Sequence, residues 1–190
     1  MTKPIDNSFW VIPDLLLAGE HPGAAGEEEM VRRIRRFLVS GVSQFIDLSD
    51  KKECGSYEEI LTRESGLLGV DARYSHHPIR DKGIPRSPVQ MAAVFREVSD
   101  AMGRGQITYI HANRGVGRTG VAVGCYLVEC GLPADRAVRK LAILYSAMEK
   151  SAWEPSIPET EQQLDYIRHW EPGVRVRAGA RARSIDDPVE

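Results

Sequence analysis

The sequence predicts an α/β domain with a central mixed sheet of about four to five strands, flanked by helices on both sides. Short apolar runs that suit buried strands alternate with segments of helical period in the first part of the chain. Helical patterns follow one another towards the end, so the last elements are expected to be helices. The length of 190 residues suits one domain with a sizeable core.

The strand predictions rest on short runs of apolar and β-branched residues between turn residues. The runs S-Q-F-I-D at 43–47 and I-T-Y-I-H at 107–111 are predicted to be buried strands. A pair of short strands joined by a turn is expected near the N-terminus, and a further extended stretch precedes the middle of the chain, at 9–13, 15–18 and 72–79.

The helix predictions follow the spacing of apolar residues and the start and stop signals around them. Segment 26–39 places its apolar residues on one face and a group of arginines on the other. Ser87, Pro88 and Gln90 predict a helix that begins with a capping box and runs to about residue 102. The remaining helices are expected at 57–64, 118–130, 134–148 and 159–170.

Composition and charge exclude several functional classes. A formal net charge of -2 gives no global attraction for nucleic acid or for a membrane surface. The three cysteines are too few and too scattered for a disulfide framework or a zinc site, so we expect a reducing, cytoplasmic location and no metal or other cofactor. The folded domain is expected over 1–170, followed by a flexible, arginine-rich tail over 171–190 that has few apolar residues.

The segment H-A-N-R-G-V-G-R-T-G at 111–120 carries the chemistry of this sequence. A predicted strand ends there, a glycine-rich turn follows, and a predicted helix begins. Backbone N–H groups in such a turn converge on one concavity, and the start of the helix adds partial positive charge. Arg118 can grip two oxygens of an anion with its planar guanidinium. The turn is therefore predicted to bind phosphate.

Two other phosphate-binding patterns fit this turn less well. Gly115, Gly117 and Gly120 spell G-x-G-x-x-G, but a dinucleotide fold has this pattern in its first βαβ unit, with an acidic residue at the end of a second strand. Here the pattern comes late and a helix follows. A nucleotide P-loop needs Gly-Lys-Ser/Thr, and the turn has no lysine.

The turn resembles the active-site loop of cysteine-dependent phosphatases of the dual-specificity and tyrosine class, His-Cys-x-x-Gly-x-x-Arg-Ser/Thr. His111, Gly115, Arg118 and Thr119 match at the required spacing, whereas Ala112 stands where the motif has its nucleophilic cysteine. With further matches elsewhere, the resemblance covers about residues 9–170. It implies the compact phosphatase fold and hydrolysis of a phosphomonoester through a phosphocysteine, without metal.

The resemblance also implies a role for each site residue. The segment 78–85 is similar to the family's general-acid loop and places Asp81, the acid, 31 residues before position 112. His111 would hold the loop geometry, and Thr119 would donate a hydrogen bond to the nucleophile. The segment 158–163 resembles the loop that positions the hydrolytic water, which points to Glu159 and Gln163. Arg118 would bind the phosphate together with the loop residues Asn113, Arg114, Gly115, Val116 and Gly117.

Alanine at position 112 removes the nucleophile, so the chain as written is expected to bind phosphate without turning it over. The intact Asp81, Arg118 and Thr119 favour a substitution made to trap substrate, with a natural pseudophosphatase that acts as a phospho-binding module as the alternative. The expected partner is a phosphorylated protein, with phosphotyrosine ahead of phosphoserine and phosphothreonine. A non-protein phosphomonoester such as an inositol phosphate is less favoured, because the loop interior has a single basic residue, Arg114.

Overall fold

The computed structural model describes residues 3–23, 26–50 and 52–173, and a five-stranded sheet forms its centre. The strands lie in the order β1-β2-β5-β3-β4, with β1 antiparallel to β2 and the other neighbours parallel. The predicted mixed sheet is confirmed. Its strands are β1 (Ser8–Ile12), β2 (Leu16–Glu20), β3 (Val42–Asp47), β4 (Arg73–His76) and β5 (Ile107–Ala112).

Helices cover both faces of the sheet, because successive strand residues point their side chains to opposite sides. Phe45 and Tyr109 face a core formed with α1 and α2, whereas Ile46 and Ile110 face the larger core formed with α3 to α6. The central α4 is buried along almost its whole length. The helices are α1 (Glu27–Val39), α2 (Glu58–Leu68), α3 (Pro88–Gly103), α4 (Gly117–Glu129), α5 (Ala134–Tyr145) and α6 (Glu161–Arg168), with a short 3₁₀ helix at Glu149–Ala152.

Several element boundaries differ from the predictions. Helix α2 continues to Leu68 and ends only at Gly69, whose positive φ of 67° terminates it. Within the extended stretch 72–79 only β4 is a strand, although the backbone N–H groups of His77 and Ile79 still donate to the carbonyls of Asp47 and Leu48. The predicted helix 134–148 ends earlier, at Tyr145, and the 3₁₀ helix at Glu149–Ala152 lies beyond the predicted range.

The capping box predicted for α3 is wrong. Ser87 makes no side-chain cap, and the Gln90 side chain instead accepts from the Arg86 N–H at 3.0 Å and donates to the Pro78 carbonyl at 3.0 Å. Gln90 therefore ties the start of α3 to the preceding loop. A complete capping box occurs at α6, between Thr160 and Gln163.

The topology brings several loops to one edge of the sheet. Because β2, β5, β3 and β4 are parallel, their carboxyl ends lie side by side, which is where open α/β sheets bind ligands. The turn that follows β5 lies in the middle of this edge. Of the predicted tail 171–190, only the first three residues are described, so the boundary at residue 170 stays a prediction.

Candidate active site

The turn between β5 and α4 is the segment predicted to bind phosphate, and we call residues 112–118 the anion cradle. The carbonyl of Asn113 accepts from the backbone N–H of His21 at 3.1 Å, and the carbonyl of Arg114 accepts from Lys150 Nζ at 2.7 Å. The C=O and N–H of one trans peptide point in opposite directions, so the next N–H groups, those of Arg114 and Gly115, are turned away from these two donors. The first N–H groups of α4 have no partner within the helix and add to this set.

Glycine at position 115 allows the cradle to lie against β2. Its φ is 71°, in the left-handed region, and a Cβ built there would stand 2.5 Å from the backbone nitrogen of Glu20. Gly117 is also tightly packed, since its Cβ would lie 2.9 Å from Gln163 Nε2. The predicted loop residues Val116 and Gly117 are buried in the cradle wall.

Arg118 is the buried cation of the site, with 4% of its side chain exposed. Its two terminal nitrogens donate to the Glu53 carboxylate at 2.8 and 2.6 Å, and Nη1 also donates to the Ile79 carbonyl at 3.1 Å. This bidentate pair fixes the plane of the guanidinium. The cation is therefore held in place at the cradle by groups from two other loops.

The loop that carries the predicted general acid lies against the cradle. Asp81 Oδ1 accepts from Arg118 Nη2 at 3.2 Å, and its side chain is about half exposed. Two residues later, the Gly83 carbonyl accepts from the buried Gln163 Nε2 at 2.9 Å. The structure thus brings Asp81 and Arg118 together.

A buried polar network lies behind the cradle. His111 is fully buried and its Nε2 lies 2.7 Å from the Tyr57 hydroxyl, while its Nδ1 is 3.7 Å from the Asp47 carboxylate. Burial lowers the pKa of His111 to about 3, although the Asp47 charge opposes this shift, so the ring is neutral near pH 7. Burial would raise the pKa of Asp47, but the His111 ring and the N–H of Ser49, which donates to the carboxylate at 2.7 Å, together hold it below its usual value.

Other predicted site residues are engaged with protein groups. Thr119 Oγ1 donates to the Gly19 carbonyl at 3.3 Å, so its hydroxyl is directed to β2. The Arg114 guanidinium forms ion pairs with Glu154 and Glu159.

Asn113 lines a cavity of about 390 Å³ whose wall also includes Glu20, His21, Met30, Arg33 and Cys54. Burial, with the nearby Asp47 and Glu53 charges, raises the pKa of the Cys54 thiol to about 11.

The two residues predicted to position water have different surroundings. Gln163 is fully buried, and its Oε1 accepts from the N–H groups of Glu159 and Thr160 at 3.1 and 3.2 Å. Its side chain is therefore occupied on both sides of the amide. Glu159 pairs with Arg114 and lies 3.9 Å from Lys82 Nζ.

Two residues of the site were not found from the sequence. Glu53 lies in a polar stretch, K-K-E-C-G, that has no periodicity, and Lys150 lies between the predicted helices 134–148 and 159–170, in a 3₁₀ helix that the sequence did not predict. Lys150 is nevertheless buried and also donates to Glu20 at 2.8 Å. Nothing in their local sequence distinguishes them from surface charges.

The comparison with protein families decides the assignment of the fold. A family model described as "PTP-SAK: Swiss Army Knife protein, DSP-PTPase phosphatase domain" matches residues 6–175. The chain belongs to this phosphatase family. A relative, "Protein tyrosine phosphatase domain-containing protein 1" of Mus musculus, is 30% identical over 170 residues, which are 86% of this chain and 21% of the mouse protein. The chain thus spans about a fifth of that relative's length.

Solved structures of phosphatases share the fold of this PTP-SAK domain. A kinase associated phosphatase, with its catalytic cysteine replaced by serine, superposes with a TM-score of 0.64 at 18% identity over 80% of this chain and 83% of that one. TpbA of P. aeruginosa, in complex with pTyr, gives a TM-score of 0.62 at 13% identity over 99% and 95% of the two chains. The predicted phosphatase-type fold is confirmed.

Neither a metal-binding cluster nor a membrane-spanning helix occurs in the described part of the chain. Residues 3–23, 26–50 and 52–173 contain no group of three or more histidine, cysteine or acidic side chains arranged to hold a metal ion. Within these same ranges, no helix is both long and apolar enough to cross a membrane.

Proposed function

We propose that this domain binds phosphomonoesters in the anion cradle, that Ala112 makes it catalytically inactive, and that the natural chemistry of the site is hydrolysis of phosphotyrosine on proteins. The orientation of the Asn113 and Arg114 peptides carries the proposal. The carbonyls of these peptides are held by the His21 N–H and the Lys150 ammonium. The N–H groups on the opposite side of the same peptides, those of Arg114 and Gly115, are therefore available to a tetrahedral anion beside Arg118.

The remaining parts of the site support a two-step hydrolysis once a thiol is present at position 112. A thiolate there would lie at the end of β5, in the turn that leads into the N-terminus of α4, a setting that lowers the pKa of cysteine. Asp81 stands at the cradle as the acid that protonates the leaving oxygen, and the cavity beside Asn113 has room for the organic part of a substrate. The preference for phosphotyrosine agrees with the mouse relative's name and with the pTyr ligand of the TpbA structure.

Binding and turnover are tested separately. The chain as written should bind inorganic phosphate and phosphotyrosine in a calorimetric titration without releasing phosphate, and Arg118→Ala should abolish the binding. Ala112→Cys should hydrolyse p-nitrophenyl phosphate and a phosphotyrosine peptide at some pH between about 5 and 8, whereas Ala112→Ser should not.

The outcomes separate the alternatives. If Ala112→Cys stays inactive while phosphate binding persists, the domain is a phospho-binding module and the proposed hydrolysis is wrong. Faster hydrolysis of an inositol phosphate than of the peptide would contradict the proposed substrate class. If the chain binds no phosphate at all, the assignment of the cradle itself fails.

A further inference from the structure

We propose that Gln163 is a positioning residue that holds the acid loop, residues 78–85, closed over the anion cradle. This inference rests on the proposed function, because it assigns a task within that site. It replaces the water-positioning role that the sequence suggested for Gln163, since both ends of the amide are already bound to backbone groups.

Gln163 connects three parts of the site from a fully buried position. Its Oε1 belongs to the capping box of α6, its Nε2 donates to the Gly83 carbonyl at 2.9 Å, and its amide packs against Gly117 of the cradle. Gly83 is separated from Asp81 by one residue. The hydrogen bond to Gly83 therefore fixes the chain next to the acid.

The first part of the acid loop is held by a buried hydrogen bond from Arg118 Nη1 to the Ile79 carbonyl at 3.1 Å, whereas the ion pairs around the acid itself are more exposed. Asp81 is 56% exposed where it meets Arg118, and Lys82 is 63% exposed at 3.9 Å from Glu159. Exposed ion pairs contribute little to stability, whereas a buried hydrogen bond that is lost leaves an unsatisfied polar group. Gln163 is thus the buried side-chain contact of the part of the loop beyond Ile79, and its loss should release the segment that carries Asp81.

Two substitutions isolate the donor to Gly83. Gln163→Glu keeps an acceptor for the capping box but replaces the Nε2 donor by an oxygen that repels the Gly83 carbonyl. Gln163→Met adds no charge and removes both hydrogen-bonding groups. The two variants share only the loss of the donor, so an effect common to both is assigned to it. Thr160→Val is the matched control, because it weakens the same capping box without touching the acid loop.

The first measurement uses the chain with Ala112. Trypsin cuts after Arg80, Lys82 and Arg86, all in or beside the acid loop, and cutting requires that the loop leave the cradle. Both Gln163 variants should be cut there at least about tenfold faster than the parent at a temperature where global unfolding is negligible, and Thr160→Val at the parental rate. Equal cleavage of the parent and both Gln163 variants would overturn the proposal, as would equally fast cleavage of Thr160→Val.

The second measurement uses the Ala112→Cys background and the acidity of the leaving group. A phenol that leaves poorly needs the proton of Asp81, whereas 2,4-dinitrophenolate does not. Both Gln163 variants should lower kcat/KM for phenyl phosphate at least about tenfold more than for 2,4-dinitrophenyl phosphate. Equal losses on the two substrates would contradict positioning of the acid. If Ala112→Cys is inactive the proposed function fails, but the cleavage rates still decide whether Gln163 holds the loop.

Discussion

The backbone at position 115 adopts a conformation that only glycine tolerates well, in a place where no side chain fits. The φ of 71° and the 2.5 Å separation between a built Cβ and the Glu20 nitrogen act together there. Gly131, just beyond α4, has a φ of 101° but no atom within 4 Å of its built Cβ. Comparing Gly115 with Gly131 therefore separates the energetic cost of a positive φ from the cost of a steric clash at the Cβ.

Gly115→Ala should therefore destabilise the protein more than Gly131→Ala. The left-handed conformation alone costs about 1–2 kcal/mol, and forced contact with the backbone of β2 adds about 1–3 kcal/mol. Urea unfolding measures both variants, and a thermal shift with orthovanadate, a tetrahedral phosphate analogue, reports on the cradle. We expect the shift to survive in Gly131→Ala and to vanish in Gly115→Ala. Equal unfolding free energies, or a retained shift in Gly115→Ala, would contradict the close approach of the cradle to β2.

The residue scale is also where sequence reasoning was most successful and where it was most limited. A glycine-rich segment with Arg118 after a strand predicted the tight turn between β5 and α4, because backbone geometry there follows from local sequence. Glu53 and Lys150 could not be predicted, since their roles depend on which loops the tertiary fold brings together. A charged residue in a polar stretch has the same local signature whether it meets water or a buried guanidinium.

At the scale of elements, His111 lies where β3, β5 and the start of α2 meet. Asp47 ends β3, Tyr57 precedes α2, and the ring of His21 packs on His111 with centroids 5.3 Å apart. Burial lowers the pKa of His21 as well, against the pull of Asp47 and Glu20. The junction therefore holds two neutral imidazoles beside one carboxylate.

Stability should consequently decrease as the pH falls below about 6.5. The unfolded chain binds a proton at His111 near the ordinary pKa of 6.5, whereas the folded protein does so only near 3. Acid therefore favours the unfolded state in this window, by at most about 1.4 kcal/mol per pH unit for this residue, and His21 acts in the same direction. Urea unfolding from about pH 7.5 to 5 measures the slope, since carboxylates contribute mainly at lower pH.

A substitution assigns this slope to the junction. His111→Asn should reduce the pH dependence even though it lowers stability overall, whereas His169→Asn, at an exposed position, should leave the slope unchanged. A slope that is the same in the parent and in His111→Asn would show that His111 is not held neutral by burial.

Element boundaries were predicted less well than the elements themselves, and the errors have physical causes. The period of apolar residues identifies each helix, but its ends depend on partners outside the helix. Gln90 matches the sequence pattern of a capping box, yet its amide binds the backbone of residues 78 and 86 because the acid loop lies within reach. Thr160 and Gln163 do form a capping box, and the Gln163 side chain also donates to the Gly83 carbonyl.

At the scale of the whole molecule, the chain after α6 is attached to the end of α4. Trp170 is 8% exposed, packs against Phe95 with ring centroids 5.6 Å apart, and donates from Nε1 to the Glu129 carboxylate at 2.8 Å. The N–H of Gly173 donates to the other oxygen of Glu129 at 3.0 Å. The folded domain thus extends at least to this attachment, and the arginine-rich segment that follows is proposed to add nothing to its stability.

Two truncations locate the end of the domain. A chain that stops after Gly173 keeps Trp170 and both bonds to Glu129, so its unfolding free energy should match that of the full chain within about 0.5 kcal/mol. A chain that stops after His169 loses the buried indole, which should cost about 3–5 kcal/mol, as removal of a core tryptophan does. Phosphate binding should persist in the first truncation, because the cradle lies at the opposite end of α4 from Glu129. A large loss of stability on removing residues 174–190 would mean instead that the arginine-rich segment packs on the domain, and the boundary predicted from composition would be wrong.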